Sequence, residues 1–169
     1  MSYYDTILMS RTKTVIVSKT LNANNTSATV NLFKFNGTIS LYKLYSVCTR
    51  KGTISSSALS NIKFDIYADP SASDLTGASG TISNVFVGSF LYKVGSTITT
   101  APTLMSGGAG QISSSILSNI PINIINGKYS TTENYIRINY TTTDTPMDAD
   151  FDFYIEYEPI TPGANVVAV

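Results

Sequence analysis

The chain has 169 residues, of which only 13% are charged, whereas charged residues make up roughly a quarter of an ordinary soluble domain. Eleven basic residues balance eleven acidic ones, so the chain lacks the positive charge with which nucleic-acid-binding proteins attract phosphates. Histidine, the usual general acid or base near neutral pH, is absent. We therefore predict a protein that is not an enzyme, with no catalytic, cofactor-binding or metal-binding residues and no nucleic-acid partner.

The cysteine content and the apolar segments indicate the cellular environment in which the chain works. The single cysteine, Cys48, excludes a disulfide within the chain, and its apolar neighbours predict a small buried side chain rather than a reactive thiol. The first residues, Met1–Asp5, lack the basic and apolar regions of a secretion signal. The longest apolar stretch, Val85–Tyr92, is too short to cross a bilayer. We expect synthesis in a cytoplasm and no membrane span.

Apolar and polar residues alternate with a period of two from end to end, which predicts β-strands throughout. The first candidate strand is Lys13–Ser18, and the second is Ala28–Phe35. The following Asn36-Gly37 favours a type I′ turn, because both residues tolerate a positive φ. This turn predicts a hairpin with a third strand, Thr38–Cys48, whose apolar face consists of Ile39, Leu41, Tyr45 and Val47.

A segment of eleven residues occurs twice, since Gly52–Ile62 and Gly110–Ile120 are identical at nine of eleven positions. Each copy leads into an apolar alternation, namely Ile62, Phe64 and Ile66 after the first copy and Ile120, Ile122 and Ile124 after the second. Two equivalent corners between a loop and a strand predict a sandwich built from two similar halves. The alternative is a favourable serine-rich connector that arose twice in a chain rich in hydroxyl groups.

Weaker patterns separate the two copies. Small and turn-forming residues predict an exposed loop over Asp69–Gly80 and a second flexible connection over Thr99–Gly110. A long strand, Thr81–Val94, is predicted between the two loops, with Gly88 as a bulge or a point of close approach.

The last third of the chain has the clearest alternation. Asn126-Gly127 predicts a turn, but the preceding Ile124-Ile125 leaves its pairing register open. Glu133–Tyr140 predicts a strand with Ile136, Ile138 and Tyr140 on one face. In Asp148–Glu158 a slip of one residue would bury five polar side chains, so we predict that four side chains point inward: Phe151, Phe153, Ile155 and Tyr157. The tail from Pro159 ends in an apolar tip, Val166–Val169, which a free monomer is expected to cover.

About eight short strands joined by turns, with no room for crossover helices, predict an all-β protein. We expect an antiparallel β-sandwich, and specifically a single eight-stranded jelly roll. One domain should span residues 1–169, with a short N-terminal arm at about residues 1–12 and a C-terminal tail at about residues 159–169.

Two sets of polar side chains are candidates for binding. Four aspartates offer the oxygen ligands that calcium takes: Asp144, Asp148, Asp150 and Asp152. Carboxylates on one strand face are roughly 7 Å apart per step, which favours a solvated acidic face over an ion site. Another interpretation is a contact with a basic residue of a neighbouring subunit, from the set Arg11, Lys13, Arg50 and Lys51. Tyrosines that lie outside the apolar parity or in terminal and loop positions can stack on sugars or anchor interfaces, or they can pack against aromatic side chains of neighbouring strands. They are Tyr3, Tyr4, Tyr42, Tyr67, Tyr129, Tyr135 and Tyr154.

Four features occur together in this chain: strands rich in serine, threonine and asparagine, the duplicated Gly-x-Ile-Ser-Ser-Ser-x-Leu-Ser-Asn-Ile corners, the terminal strand Asp148–Glu158, and short uncharged tails. Over most of its length the chain thereby resembles the small jelly-roll structural proteins of phages and related virions. The resemblance implies a coat, decoration, penton or head-fibre subunit, and it assigns no functional residue. The scarcity of basic residues favours an outer position over one that contacts packaged genome.

The first of two competing functions is that of a virion subunit, made in the host cytoplasm, which tiles or decorates a shell. Its partners are other copies of itself and other capsid proteins, and its expected assembly contacts are Tyr3, Tyr4, Val166, Val167 and Val169. On this hypothesis, removal of the residues after Pro162 should leave a folded monomer that assembles poorly.

The second function is that of a carbohydrate- or receptor-binding adhesive module. Its site would consist of the two loops, Asp69–Gly80 and Thr99–Gly110, with exposed tyrosines stacking on the sugar rings of a glycan. A glycan array separates the two functions, because a shell subunit is expected to assemble and to bind no glycan.

Overall fold

The computed structural model describes residues 12–23, 27–50, 59–68, 70–81, 85, 87–93, 96–105, 122–127, 133–142 and 147–169. These residues form eleven β-strands. The part described holds no helix of the length and apolarity that a membrane crossing requires. The strands pair antiparallel and form two sheets that pack against each other, which confirms the predicted all-β antiparallel sandwich.

The strands divide between the two sheets as follows. Across sheet A the order is β1 (Lys13–Ala23), β10 (Met147–Pro159), β3 (Thr38–Arg50), β6 (Phe90–Tyr92) and β7 (Thr103–Met105), while β8 (Asn123–Asn126) also pairs with β3. Across sheet B the order is β11 (Asn165–Ala168), β2 (Ser27–Asn36), β9 (Asn134–Thr142), β4 (Leu59–Ala68) and β5 (Ser71–Asp74).

Apolar side chains from the facing sides of both sheets fill the space between them. In β10 the four predicted inward residues are at most 2% exposed, and in β9 the predicted face of Ile136, Ile138 and Tyr140 is buried to the same degree. The ring of Phe153 meets the ring of Phe64 in β4 edge to face, with centroids 6.5 Å apart. The two sheets are thus in direct contact, and the predicted registers of β9 and β10 are confirmed.

Strand pairing is nested along the chain. β1 pairs with β10, β2 with β9, β3 with β8, and β4 with β5, so successive strands pair with partners progressively nearer in sequence. β10 also pairs with β3, and β9 with β4, which joins these pairs into the two sheets. The nesting brings together residues as far apart as Ser18 and Asp152, which are 134 positions apart in the sequence.

The turn at Asn36-Gly37 does not form the predicted hairpin. Gly37 adopts a positive φ of 66°, but β2 lies in sheet B and β3 lies in sheet A. Phe33 and Phe35 in β2 and Ile39 in β3 are all buried. The chain crosses from one sheet to the other at Gly37, so that both apolar faces cover the same core from opposite sides.

A bulge in β3 changes which of its side chains face the core. The pairing with β10 shifts at this point, and Tyr42 is an extra residue in β3. Leu41 is buried as predicted, but beyond the bulge Leu44 takes the next inward position at 1% exposure. The predicted inward positions of Tyr45 and Val47 are therefore wrong, because both residues follow the bulge and lie on the outer face of sheet A.

Cys48 lies on the inner face of β3 beyond this bulge. Its side chain is 1% exposed, and burial raises the pKa of its thiol. A thiol that stays protonated is a poor nucleophile, so Cys48 acts as the small buried side chain that the sequence predicted.

The region between the two repeated segments is less regular than predicted. A continuous strand over Thr81–Val94 is wrong, since β6 is the part of this range that the structure describes as a strand, and Gly88 lies in a turn with a φ of 83°. The loop predicted at Asp69–Gly80 is exposed at Ser71–Asp74, which forms β5, but Leu75 is only 2% exposed.

Two hydroxyl groups explain why this loop is more buried than its composition suggests. The backbone N–H of Phe64 donates to the hydroxyl of Thr76 at 2.9 Å, and the N–H of Ile62 donates to the hydroxyl of Ser79 at 3.0 Å. Thr76 and Ser79 thereby take the place of a strand partner along part of β4, so small polar residues are buried without loss of hydrogen bonds.

The repeated segment is described only at the end of its first copy, where Leu59–Ile62 begins β4; the second copy, Gly110–Ile120, lies outside the described residues. β4 lies between β9 and β5 in sheet B, whereas β8, which follows the second copy, pairs with β3 in sheet A. Ile62 is buried as predicted, but Ile124 is 71% exposed and Ile125 is 2% exposed. The alternation after the second copy is thus only partly an inward face, because Ile122 packs against the core but Ile125 rather than Ile124 points inward in β8.

The C-terminal tail is part of sheet B. β11 pairs with β2, and Val166, which lies opposite Phe35, is 4% exposed. The backbone N–H of Val166 donates to the hydroxyl of Tyr157 at 3.1 Å and so connects the edge of sheet B to sheet A. This placement changes the expected result of removing the tail.

Deletion of the residues after Pro162 should lower the free energy of unfolding by roughly 2–4 kcal/mol, because it removes a core valine and leaves Phe35 and the Tyr157 hydroxyl without these partners. Urea denaturation followed by circular dichroism measures the change. The control Val167→Ala shortens an exposed side chain of the same strand and should cost less than about 0.5 kcal/mol. An unchanged denaturation midpoint after the deletion would contradict the role of β11 in the fold.

Gly37→Ala should destabilise the protein more than Gly163→Ala. Both glycines have a positive φ, but a Cβ at Gly37 would lie 2.7 Å from the hydroxyl oxygen of Thr161 and 2.8 Å from the Cβ of Ala164, whereas a Cβ at Gly163 meets no atom within 4 Å. We expect about 1 kcal/mol for Gly163→Ala from its φ alone, and roughly 1–3 kcal/mol more for Gly37→Ala. Equal losses in thermal denaturation would show that the corner between the sheets is loosely packed.

Candidate functional site

The residues expected to be assembly contacts occupy different environments. Tyr3 and Tyr4 lie outside the described residues. Val166 faces the core, whereas Val167 is 47% exposed and Val169 is 45% exposed. The two exposed valines stay candidates for a contact with a partner, and Val166 has a role in the fold.

β1 and β11 are edge strands on the same side of the sandwich. β1 ends sheet A, β11 ends sheet B, and the two strands are in contact. Ile16 in β1 is 52% exposed and pairs with Tyr154 of β10 on the outer face. We call Ile16, Val167 and Val169 the edge surface. Three of the seven large apolar side chains that are exposed in the described residues thus lie on two adjacent edge strands, where a contact with another protein would cover them.

A row of aromatic side chains continues from Ile16 across the outer face of sheet A. The strand register aligns Tyr154 of β10, Tyr45 of β3 and Tyr92 of β6, which we call the tyrosine row. The rings of Tyr45 and Tyr154 stack with centroids 4.7 Å apart and 1° between their planes. Burial, followed by the proximity of Tyr154, raises the pKa of the Tyr45 hydroxyl. The Tyr45 ring in this row is therefore neutral at physiological pH.

Polar side chains on both sides of the tyrosine row are paired within the chain. Lys43 Nζ lies 2.6 Å from a carboxylate oxygen of Glu156, with both side chains about one-fifth exposed. The hydroxyl of Ser18 donates to Asp152 at 2.6 Å. The hydroxyl of Tyr42 donates to a Glu158 carboxylate oxygen at 2.9 Å. These partners belong to neighbouring strands, so the hydrogen bonds fix the positions of the outer side chains.

Asp150 is the best-connected member of the predicted acidic series. Its carboxylate accepts from two nitrogens of Arg50 at 2.5 and 2.9 Å and from the hydroxyl of Thr20 at 2.7 Å. The Arg50 guanidinium, and then the Thr20 hydroxyl, hold the pKa of Asp150 below its usual range. Arg50, a candidate for contact with a neighbouring subunit, thus binds within its own chain. Asp144 lies outside the described residues, and the described residues contain no group of three or more potential metal ligands.

The outer face of sheet B is also occupied by pairs. Arg137 donates two hydrogen bonds of 2.8 Å to Asp65, which is 3% exposed, and its guanidinium carbon lies 4.4 Å from the ring centroid of Tyr67. The hydroxyl of Tyr135 donates to Glu133, which also binds Lys34 at 2.8 Å. Arg137 covers one face of the Tyr67 ring, so that face cannot stack on a sugar.

A slot in sheet A opens between β6 and β8, which share one edge of β3. β6 pairs with Tyr45–Val47 and β8 pairs with Thr38–Leu41, so the bulge lies between them. A cavity of about 10 Å³ lies here, lined by Tyr42, Lys43, Leu44, Tyr45, Tyr92, Lys93 and Ile122. This volume holds roughly one water molecule and is too small for a sugar. Lys93 is 5% exposed, and burial lowers the pKa of its amine to about 8.

The two loops predicted to bind glycan meet on the side of the sandwich where β5 and β7 form the sheet edges. The N–H of Gly77 donates to the carbonyl of Thr100 at 3.1 Å. A Cβ at Gly77 would lie 2.1 Å from the carbonyl oxygen of Thr99, so the approach of the two loops requires glycine. Residues 106–110 of the second loop lie outside the described residues. This loop junction is on the opposite side from the edge surface.

The sequence reasoning missed Ile16 and Tyr45 as surface residues. Ile16 lies in the apolar run Val15–Val17, and its outward direction follows from the same alternation that points Val17 inward. For Tyr45 the signal was the spacing of three between Leu41 and Leu44, which no uninterrupted strand alternation accommodates.

Comparison of the chain with known protein families, curated proteins and solved structures finds no match. No relative therefore assigns a role to the edge surface, the tyrosine row or the loop junction. The resemblance to virion proteins that the sequence suggested stays a proposal.

The stability of the protein should rise with pH through the titration of Lys93. Below about pH 8 the amine is charged in both the folded and the unfolded state, and above its ordinary pKa of 10.5 it is neutral in both. Between these values only the unfolded state binds the proton, so the free energy of unfolding increases by up to roughly 1.4 kcal/mol per pH unit.

The variant Lys93→Met isolates this effect, because every other titrating group is common to the two proteins. We expect the difference in unfolding free energy between the variant and the wild type to change by roughly 2 kcal/mol in favour of the wild type between pH 8 and pH 10. Urea denaturation at several pH values measures it. A difference that does not vary with pH would show that the amine is solvated.

Proposed function

We propose that the chain folds as a jelly roll and serves as a structural subunit of a virion. A jelly roll is a long antiparallel ribbon rolled up so that its strands fall into two sheets. The nested pairs β1 with β10, β2 with β9, β3 with β8 and β4 with β5 support this topology. Jelly rolls occur in viral capsid domains and in lectins, which are the two functions that the sequence left open.

The observation that carries the proposal is the contrast between paired charges and exposed apolar edges. Lys43, Arg50 and Arg137 each bind a carboxylate of the same chain. Ile16, Val167 and Val169 are about half exposed on the two adjacent edge strands. A neutral surface with internally paired charges repels other copies weakly, and apolar side chains are stabilised when a neighbour covers them. Such a surface favours association between proteins.

The proposed subunit occupies an outer or decorating position in the shell. The chain has no net charge at neutral pH, so it offers no excess of positive charge to packaged nucleic acid. Its partners are other copies of itself and other capsid proteins, its location is the virion after synthesis in the host cytoplasm, and its role involves neither catalysis nor a cofactor.

The purified protein should self-associate in a concentration-dependent manner in sedimentation velocity experiments. The double variant Val167→Lys/Val169→Lys should weaken this association by at least roughly tenfold, because two charges replace side chains that a neighbour would bury. The control Val87→Lys changes a valine that is 58% exposed in a turn outside the edge strands, and it should have little effect.

Two results would count against this function. A protein that stays monomeric at all concentrations, alone and with its native particle, would exclude a shell role. Equal losses of association from the edge variant and from Val87→Lys would show that the edge surface is not the contact.

The second candidate function, binding of a carbohydrate or receptor, is favoured by the meeting of the two loops at Gly77 and Thr100. Two converging loops beside sheet edges are a common setting for a binding site. Specific binding on a glycan array by a protein that remains monomeric would establish this function in place of the first.

A further inference from the structure

We infer that two copies of the chain join through β1, whose free edges pair antiparallel about a two-fold axis, so that sheet A continues from one copy into the next. This inference rests on the proposed function and names the contact through which the subunits would meet. It follows from the length of β1, from the distribution of its charges and from the position of β11.

β1 differs from the other edge strands in its length. It has eleven residues that pair with β10 without any irregularity, and in the described part of the chain nothing pairs with its other edge. The strands at the other sheet edges are short, with four residues each in β5 and β11 and three in β7. Proteins usually keep free edge strands short, bent or covered, because a long regular edge pairs readily with another strand.

In the described residues, the edge of sheet B next to β1 has some of its backbone groups hydrogen-bonded within the chain, whereas the free edge of β1 is open to a new strand. In β11 the N–H of Val166 binds the hydroxyl of Tyr157, so part of its outer edge is already satisfied within the chain. β1 contains neither proline nor glycine, and it keeps a backbone that can donate and accept along its full length.

The charges of β1 exclude one register for this pairing, and the length of the strand favours another. An axis at Ile16 would place Lys13 directly opposite Lys19 of the other copy, and like charges in that position are destabilising. An axis at Ser18, the midpoint of the strand, uses all eleven residues and separates the lysines. Lys13 then lies opposite Ala23, and Lys19 lies opposite Val17.

The same register matches side chains on both faces of the continued sheet. Towards the core Val15 lies opposite Leu21, which is fully buried in its own copy. On the outer face Ile16 lies opposite Thr20, so the exposed apolar side chain gains a cross-strand neighbour. The inner faces of the two copies therefore coincide, with Lys13 and Lys19 on the inner face, and so do their outer faces.

The position of β11 adds a second contact. Because β11 packs against β1 on the same side of the sandwich, the two-fold axis also brings the β11 strands of the two copies towards each other. The exposed Val167 and Val169 lie on that strand and its end. One arrangement thus accounts for both parts of the edge surface.

Site-directed disulfide formation tests the register. The native Cys48 is buried and is replaced in all proteins by Cys48→Ala, and circular dichroism checks the fold. Ser18→Cys places two thiols opposite each other at the axis, where Cβ atoms of paired residues are about 4.5–5.5 Å apart, close to disulfide reach. We expect most of this protein to become a covalent dimer under mild oxidation.

The matched controls are Thr14→Cys and Asn22→Cys, which lie on the same face of β1. Each alone should give at least roughly tenfold less dimer than Ser18→Cys, because residue 14 of one copy faces residue 22 of the other. Mixing the two variants should restore a covalent heterodimer, which a random collision of exposed thiols would not favour over the homodimers.

The outcomes separate this inference from the proposed function. If the protein self-associates but Ser18→Cys forms no more dimer than the two single controls, the contact is not β1 and the shell role stands. If the protein associates neither with itself at any concentration nor with its native particle, both the edge pairing and the shell role are wrong.

Discussion

The position of β10 between β1 and β3 is the constraint on which the rest of the sandwich depends. β10 supplies four large apolar side chains to the core, and a shift by one residue would bury Asp152 and Glu156 in their place. The outer contacts exist only in the observed register, since Lys43 meets Glu156 and Tyr45 stacks on Tyr154 only when Phe153 and Ile155 point inward. The hydrophobic core thereby determines the chemistry of the surface.

Local sequence patterns were sufficient to predict the inward residues of strands that bury only one face. The alternation in β9 and β10 predicted their inward residues correctly, because burying the other face would desolvate charged side chains. The change of direction at Gly37 was recognised from its residue type, but Asn36 lacks the positive φ that a type I′ turn requires at both positions. The partners of the flanking strands could not be predicted, because β2 and β3 pair with residues about a hundred or more positions away in β9 and β10.

The residues of the candidate site could not all be predicted from the sequence, because their exposure depends on strand pairing, on a bulge and on strand order. The tail was recognised as an apolar segment, but only the pairing with β2 separates Val166, which faces the core, from the exposed Val167. A single extra residue at Tyr42 moved Tyr45 from the predicted core to the surface. Edge strands are defined by strand order, so the alternation points Ile16 outward but cannot place it at a sheet edge beside β11.

The nested pairing has a consequence for biosynthesis. β1 leaves the ribosome long before β10, because paired residues of the two strands, such as Ser18 and Asp152, are 134 positions apart. During that interval the nascent chain exposes both edges of β1 and most of the future core, and stable folding has to wait for the last third of the chain. On a crowded polysome, where many nascent chains lie close together, a chaperone that shields this early segment would raise the yield of correctly folded protein.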